Sequence, residues 1–574
     1  MPGGIDARDR DAALRALAAG PLDVLVVGGG ITGAGAALDA ASRGLRVGLV
    51  ESRDLAAGTS SRSSKLIHGG LRYLEQGDFK LVKEALRERD LLVSKLAPHL
   101  VRPLPFLYPL YKKVVERPYV GAGLVIYDAM EGTRRPVPHH RHLTTRGALR
   151  RAPALRPARL AGAMVYYDAQ VDDARYTVTV ARTAARHGAI VVTSASAVSL
   201  LRDGERVTGA RVRDEESGRL IDVAATRVVV CAGVWSDLVH EASGVRAGYQ
   251  VRMSKGVHLV VPRSAINAET GMIIRTSKSV LFFIPWGDDR WIVGTTDTEW
   301  SGDRVEPVAT AEDVDYILHE ANRVLASPLS RADVLAVYAG LRPLVAEPPA
   351  VKHAGTGDAA GTGTAEKPTT KLSREHVVDL PLPGLVSIAG GKFTTYRLMA
   401  RDVIDAAAEG FPRPVPPSVT GSLPLLGADG LPAVRASARR LADDYQVALP
   451  AVEHLIDRYG SVAGEVLELI RADKSLGQPL AQGYPYLRAE VAYAVTHEGA
   501  LHVADVLARR VRLLIESPDA GASAAPEVAA IMAPLLGWHR RRRAEEIRRY
   551  QALAAANVAA LRSPVLPAAE LVSA

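Results

Sequence analysis

The run Val24-Leu25-Val26-Val27, followed at once by Gly28-Gly29-Gly30-Ile31-Thr32-Gly33, restricts the fold more than anything else in the chain. Four apolar residues, mostly β-branched, are too few for a helix and read as a buried strand entering a glycine turn. The segment Ala34 to Ser42 is rich in alanine and free of proline, so it forms a helix ending near Gly44. A second strand, Val47 to Val50, closes a βαβ element of about thirty residues at Glu51.

In that context each glycine of the Gly-x-Gly-x-x-Gly motif has a task. Gly28 permits the tight turn, Gly30 lets the backbone approach a pyrophosphate, and Gly33 lets helix and strand pack closely. The helix N-terminus at Gly29, Ile31 and Thr32 offers amides to anionic oxygen. Glu51 stands where a carboxylate accepts both ribose hydroxyls, which disfavours NADP. The hydroxyl-rich loop Gly58-Thr59-Ser60-Ser61-Arg62-Ser63-Ser64-Lys65 suits a pyrophosphate and a ribityl chain, and so favours FAD over an exchanging nicotinamide. A third strand, Arg227 to Cys231, leads to Gly233, where backbone again approaches cofactor or simply turns.

At 574 residues the chain exceeds one ordinary hydrophobic core, so two or three domains are expected. Hydrophobic residues at 48% and charged residues at 23% are globular proportions, which excludes a chain disordered throughout. Cys231 is the only cysteine, so an intrachain disulfide and a cysteine-rich metal site are excluded. No metal site is expected: His497, Glu498 and His502 lack the zinc-protease spacing. The opening residues lack a signal-peptide core, and no apolar run is long enough for a membrane span.

Residues 78–97 alternate as an amphipathic helix with Leu81, Val82, Ala85, Leu86 and Leu92 inward. From Leu104 to Tyr119, aromatic residues mix with bases among prolines, which suits an anionic membrane surface or a buried packing segment. Residues 190–300 read as strands, 354–370 as a loop dense in glycine and threonine, and the chain from about 425 as helices.

The segments DVLVVGGGITGAGAALDAASRGLRVGLVE, GTSSRSSKLIHGGLRYLE, YAGLRPL, KLSREH and IAGGKFTTYR closely resemble FAD-dependent, quinone-linked glycerol-3-phosphate dehydrogenases of the D-amino-acid-oxidase-like flavoprotein superfamily. HEGALHVADVLARR, residues 497–510, resembles that family's C-terminal signature. The resemblance implies an α/β fold with a Rossmann-type FAD-binding domain in three pieces, 20–95, 165–240 and 380–410. Interleaved with it is a mixed-sheet substrate-binding or capping domain, 96–164 and 241–379, and an all-α C-terminal domain follows over 411–574.

It also implies oxidation of sn-glycerol 3-phosphate to dihydroxyacetone phosphate, with hydride passing to flavin N5 and electrons to a membrane quinone. His68, followed by Gly69 and Gly70 that leave space for a ligand, is the candidate general base, although a histidine there is equally a packing residue. Arg342 and Arg374 are assigned to the phosphate, whose oxygens match guanidinium geometry. Lys392, after Gly390-Gly391, lies at a helix start facing flavin and substrate, and Arg72 and Tyr73 complete the pocket. Val198 joins Gly390 and Gly391 on the cofactor wall.

The implied setting is cytoplasmic, peripheral on the inner face of the plasma membrane, with a homodimer left open. A flavin oxidase of amino or hydroxy acids shares the cofactor motifs and remains an alternative. A flavin-dependent RNA-modifying protein is suggested by the net charge of +8 and the run Arg540–Arg543, but no RNA-binding signature accompanies them and no nucleic-acid partner is expected.

Overall fold

The computed structural model describes residues 4–112, 115–130, 135–276, 279–346 and 375–562 of the chain. Leu22–Val27 forms a strand near the middle of an eight-stranded sheet, with Val24, Leu25 and Val26 fully buried. The main path runs His376–Leu382, Leu385–Gly390, Leu220–Val230, Leu22–Val27, Val47–Val50, Ile190–Val192. All but the first of these are parallel to their neighbours, and His376–Leu382 closes one edge antiparallel. A parallel sheet is covered on both faces, which explains why Val24–Val27 and Val228–Val230 show no polar alternation.

The helix after the glycine turn, Ile31–Ser42, packs with Asp173–Arg186 and Tyr396–Ala408 on one face of this sheet. They share a core that includes Ala37, Tyr176, Val180 and Val403. The opposite face is closed by Leu14 and Leu17 of Arg10–Ala18 and by the antiparallel strands Ala195–Asp203 and Arg206–Asp214.

The second sheet has ten strands and is mixed. Its long strand Gln250–Pro262 pairs on one side with Arg290–Gly294 and on the other with Ala336–Ala346 in unbroken register from Gln250 to Val260. Val101–Leu110 pairs residue for residue with Gly162–Val171 despite three prolines. Pro103, Pro105 and Pro109 sit at even spacing, so their missing N–H groups fall on one edge and the ladder on the other survives. Gly162–Val171 spans the boundary expected at residue 165 and lies wholly in the second sheet, while His376–Leu382 spans the one expected at 380 and lies in the first.

Two further expectations change in the structure. The stretch Leu104 to Tyr119 is not one surface: Phe106 and Leu107 are fully buried in the sheet, whereas Tyr119 is exposed on the helix Glu116–Met130. The amphipathic segment 78–97 is a helix, Phe79–Leu91, continued by a π-helical turn, Leu92–Leu96, and its five inward residues are buried as expected. Residues 354–370 lie outside the described residues. Helices from Leu431–Ala436 to Arg540–Arg562 form the C-terminal part. None of the described helices is long and apolar enough to cross a membrane.

Candidate active site

The C-terminal ends of the parallel strands face the second sheet across a cleft of about 630 Å³. Carboxyl ends of strands in an open α/β sheet are where ligands settle, because the following helix starts present unpaired amides there. Gly28 has φ +112, and a Cβ on it would lie 2.6 Å from the Cys231 carbonyl oxygen. At Gly33 a Cβ would overlap the Gly28 carbonyl, so turn and helix meet only because both are glycine.

Gly30, Ile31 and Thr32 line the cleft at the helix start, and Ile31 N–H donates to Ser60 Oγ at 2.9 Å. Glu51 lines it too; its Oε2 accepts the Gly29 N–H at 2.6 Å and its Oε1 the Arg53 N–H at 2.9 Å. These bonds fix the carboxylate at the wall where a ribose would lie. Val198 reaches the cleft from a register shift between Ala197 and Ser199, and Gly233, at φ +56, has open space where a Cβ would stand. Gly390 and Gly391, at φ +77 and +83, turn the chain from Leu385–Gly390 into Lys392, just ahead of Phe393–Thr395 and Tyr396–Ala408.

The serine loop divides. Thr59, Ser60, Ser63 and Ser64 line the cleft, whereas Ser61 and Lys65 do not. Lys65 is fully buried, with Nζ 2.8 Å from Asp173 Oδ1 and 3.0 Å from the Ser61 carbonyl oxygen. Burial, and then the neighbouring Arg512 cation, bring its pKa down to about 8. The expected contact of Lys65 with cofactor is therefore replaced by a structural bond beneath the loop. The glycine cradle, the acid at the second strand end and the hydroxyl-lined floor together fit FAD.

The same cleft is lined by His68, Tyr73, Arg342 and Lys392. Lys392 Nζ lies 3.6 Å from the centre of the Tyr73 ring, a cation–π contact that steadies the ammonium. His68 is held by its backbone, its N–H donating to Thr394 Oγ1 at 3.1 Å. The next residue, Gly69, donates to Tyr127 Oη at 3.0 Å and to Asp168 Oδ1 at 3.2 Å. Burial lifts the Asp168 carboxyl to about 6 against the opposing pull of Arg89. Arg342 donates to Thr295 Oγ1 at 3.0 Å and to the Thr296 carbonyl at 3.2 Å, with Asp297 Oδ1 3.5 Å from its Nη1. It crosses Gly256, where a Cβ would strike the guanidinium.

Arg72 belongs to the turn Leu71–Gln76, and its side chain lies outside the described part, as does the whole of Arg374. The structure adds a cleft residue that sequence reasoning missed, His258. Its Nε2 is 2.9 Å from Ser64 Oγ, and its ring stacks on Tyr338 at 4.8 Å. Burial, then Arg342 and Lys65, hold its pKa well below the ordinary value, so it is neutral. In the sequence it is a lone histidine within VHLVVP, and only its pairing opposite Tyr338 and Gly294 turns it inward.

The family model described as FAD dependent oxidoreductase matches residues 23–397, and that described as C-terminal domain of alpha-glycerophosphate oxidase matches residues 418–543. Glycerol-3-phosphate dehydrogenase 2 of Mycobacterium tuberculosis is 51% identical over 97% of this chain and 92% of its own length. The human mitochondrial glycerol-3-phosphate dehydrogenase is 37% identical over 92% of this chain and 72% of its own. Among solved structures, the glycerol-3-phosphate dehydrogenase of Bacillus halodurans complexed with FAD superposes with a TM-score of 0.77 at 29% identity, covering 98% of this chain and 99% of that one.

Proposed function

This chain belongs to the FAD-dependent glycerol-3-phosphate dehydrogenase family, and on that premise we propose that it oxidises sn-glycerol 3-phosphate to dihydroxyacetone phosphate. The observation that carries the reading is one cleft lined both by the glycine cradle with Glu51 and by Arg342, Lys392 and His68. Arg374 and Arg72 are proposed as further phosphate and pocket ligands on the resemblance alone.

Gly28 to Gly33, Glu51, Thr59, Ser60, Ser63, Ser64, Val198, Gly233, Gly390 and Gly391 would hold FAD. Bound there, FAD would supply the two-electron acceptor for the hydride leaving C2 of the substrate. The chain's residues do the rest. Arg342 grips the phosphate as a fork, held in its pose by Thr295 and Asp297. Lys392 stabilises negative charge as the hydroxyl gives up its proton. A neutral imidazole takes that proton, and we assign the role to His68, while the neutral His258 holds Ser64 at the cleft wall.

The test is a titration of purified protein with glycerol 3-phosphate without oxygen, following the flavin band at roughly 450 nm. Rapid bleaching, with glycerol alone far less effective, is expected. A yellow protein that stays yellow would retain the cofactor and overturn the substrate.

For the electrons we propose a membrane quinone, with the protein seated peripherally on anionic lipid at the inner face of the plasma membrane. The helix Glu116–Met130 supports this. The outward positions Pro118, Tyr119, Ala122, Val125 and Ile126, together with Val115 just before the helix, are all exposed and all apolar, while Leu124 and Tyr127 face inward. Lys112, just before the helix in the chain, is exposed, as is Arg141 of the strand Arg141–Leu143, whose His142 packs beside Gly121. An exposed apolar stripe with lysine and arginine on neighbouring segments fits the headgroup boundary of an anionic bilayer.

A further inference from the structure

The segment 509–512 of the helical domain reaches two loops beside the cofactor cleft. Arg510 grips Asp54 with both nitrogens, Nη1 to Oδ2 at 2.8 Å and Nη2 to Oδ1 at 2.7 Å, and Arg509 Nε reaches the same carboxylate at 2.5 Å. Asp54 sits three residues beyond Glu51, in a loop that returns to the glycine turn where Ala56 N–H donates to the Gly29 carbonyl at 3.0 Å. Two residues further along, Arg512 Nη2 donates to the Ser61 carbonyl at 2.8 Å and approaches Asp173 Oδ1 at 3.3 Å. Asp173 also accepts from Lys65 and, at 2.9 and 2.7 Å, from the amide and hydroxyl of Ser63.

The serine loop held this way carries Ser60, which accepts the Ile31 amide, and Thr59, whose hydroxyl donates to the Leu341 carbonyl at 2.6 Å, one residue before Arg342. All these charged groups are buried: Arg510, Arg512, Lys65 and Asp173 at 0% and Asp54 at 1%. A buried carboxylate or cation that loses its partner is strongly unfavourable, so the two loops can take this shape only with the helical domain docked.

We propose that residues 509–512 are a positioning element for the dinucleotide site: Arg510 through Asp54, and Arg512 through Ser61 and Asp173, hold the two loops that flank the Gly28–Gly33 turn. The end of the C-terminal signature, with Arg512 just beyond it, is then a cofactor-retention device. The inference rests on the FAD reading.

The experiment measures the FAD dissociation constant of full-length apo-protein by fluorescence titration, with apo-protein melting recorded alongside. Wild type is compared with Arg512→Met, Arg512→Lys and Asp54→Asn, and with Arg549→Ala, which breaks an exposed pair with Glu545 on the same domain. The expected result is a loss of FAD affinity of about tenfold or more in Arg512→Met and Asp54→Asn. A smaller loss is expected in Arg512→Lys and none in Arg549→Ala. Should Arg512→Met fail to fold, Arg512→Lys decides, because its retained charge keeps the core neutralised while the two-pronged grip is lost. Wild-type affinity in the folded variants overturns the proposal. Failure of the wild type itself to bind FAD overturns the cofactor reading instead.

Discussion

At the scale of single residues, Arg342 and Gly28 carry the sharpest expectations. Arg342 lines the cleft with its fork already oriented by Thr295 and Asp297, so Arg342→Ala should lower kcat/KM for glycerol 3-phosphate about 100-fold, mostly through KM. Steady-state kinetics at varied substrate checks this, and an unchanged KM would move the phosphate elsewhere. Gly28→Ala should abolish bound flavin, read from the visible spectrum, because the new methyl meets the Cys231 carbonyl in a backbone conformation at φ +112. The roles of Gly28 and Gly33 were legible because steric need for glycine leaves a spacing in the text. Lys65 was misread because a lysine in a hydroxyl-rich loop looks solvent-facing, and nothing local announces its partner Asp173, 108 positions away. His258 was invisible for the same reason: its neighbours in space come from other strands.

At the scale of elements, the helix Arg540–Arg562 is tied to the rest by an ion cluster. His502 lies 2.9 Å from Glu216 and 3.1 Å from Glu546, and Arg542 pairs with both acids. The arginine run that hinted at nucleic acid thus spends Arg542 on internal pairs. Burial opposes the His502 charge, but the two carboxylates outweigh it and raise its pKa to about 10. Since the folded value lies above the unfolded 6.5, the stabilisation is complete below pH 6.5 and is lost as pH rises through about 10. Thermal melts from neutral to alkaline pH should fall more steeply for wild type than for His502→Gln; parallel curves would remove the cluster from the stability account. The βαβ unit could be read from its periodicity. Val101–Leu110 could not, because its prolines argue against a strand until the one-sidedness of their edge is seen.

At the scale of the whole molecule, the apolar face of Glu116–Met130 predicts where the protein rests. Flotation with anionic liposomes should carry wild type upward at low salt, and a Val125→Asp, Ile126→Asp double variant should stay below while still bleaching with substrate in solution. Equal flotation of both would place the contact elsewhere. The interleaving of the two sheets was legible only as alternating textures along the chain, since strand order depends on pairings across hundreds of residues. The helical C-terminal part was readable in kind, but its grip on the cofactor loops was not.

The parallel pairing of Leu385–Gly390 with Leu220–Val230 has a consequence for synthesis on the ribosome. Until the chain beyond residue 390 has emerged, Val228–Val230 offers an unpaired, wholly apolar strand edge, and the wall carrying Lys392 does not exist. A chain cut short of residue 390 should therefore collect as aggregate and not as a yellow fragment, which expression of a truncation series with flavin read in the soluble fraction checks.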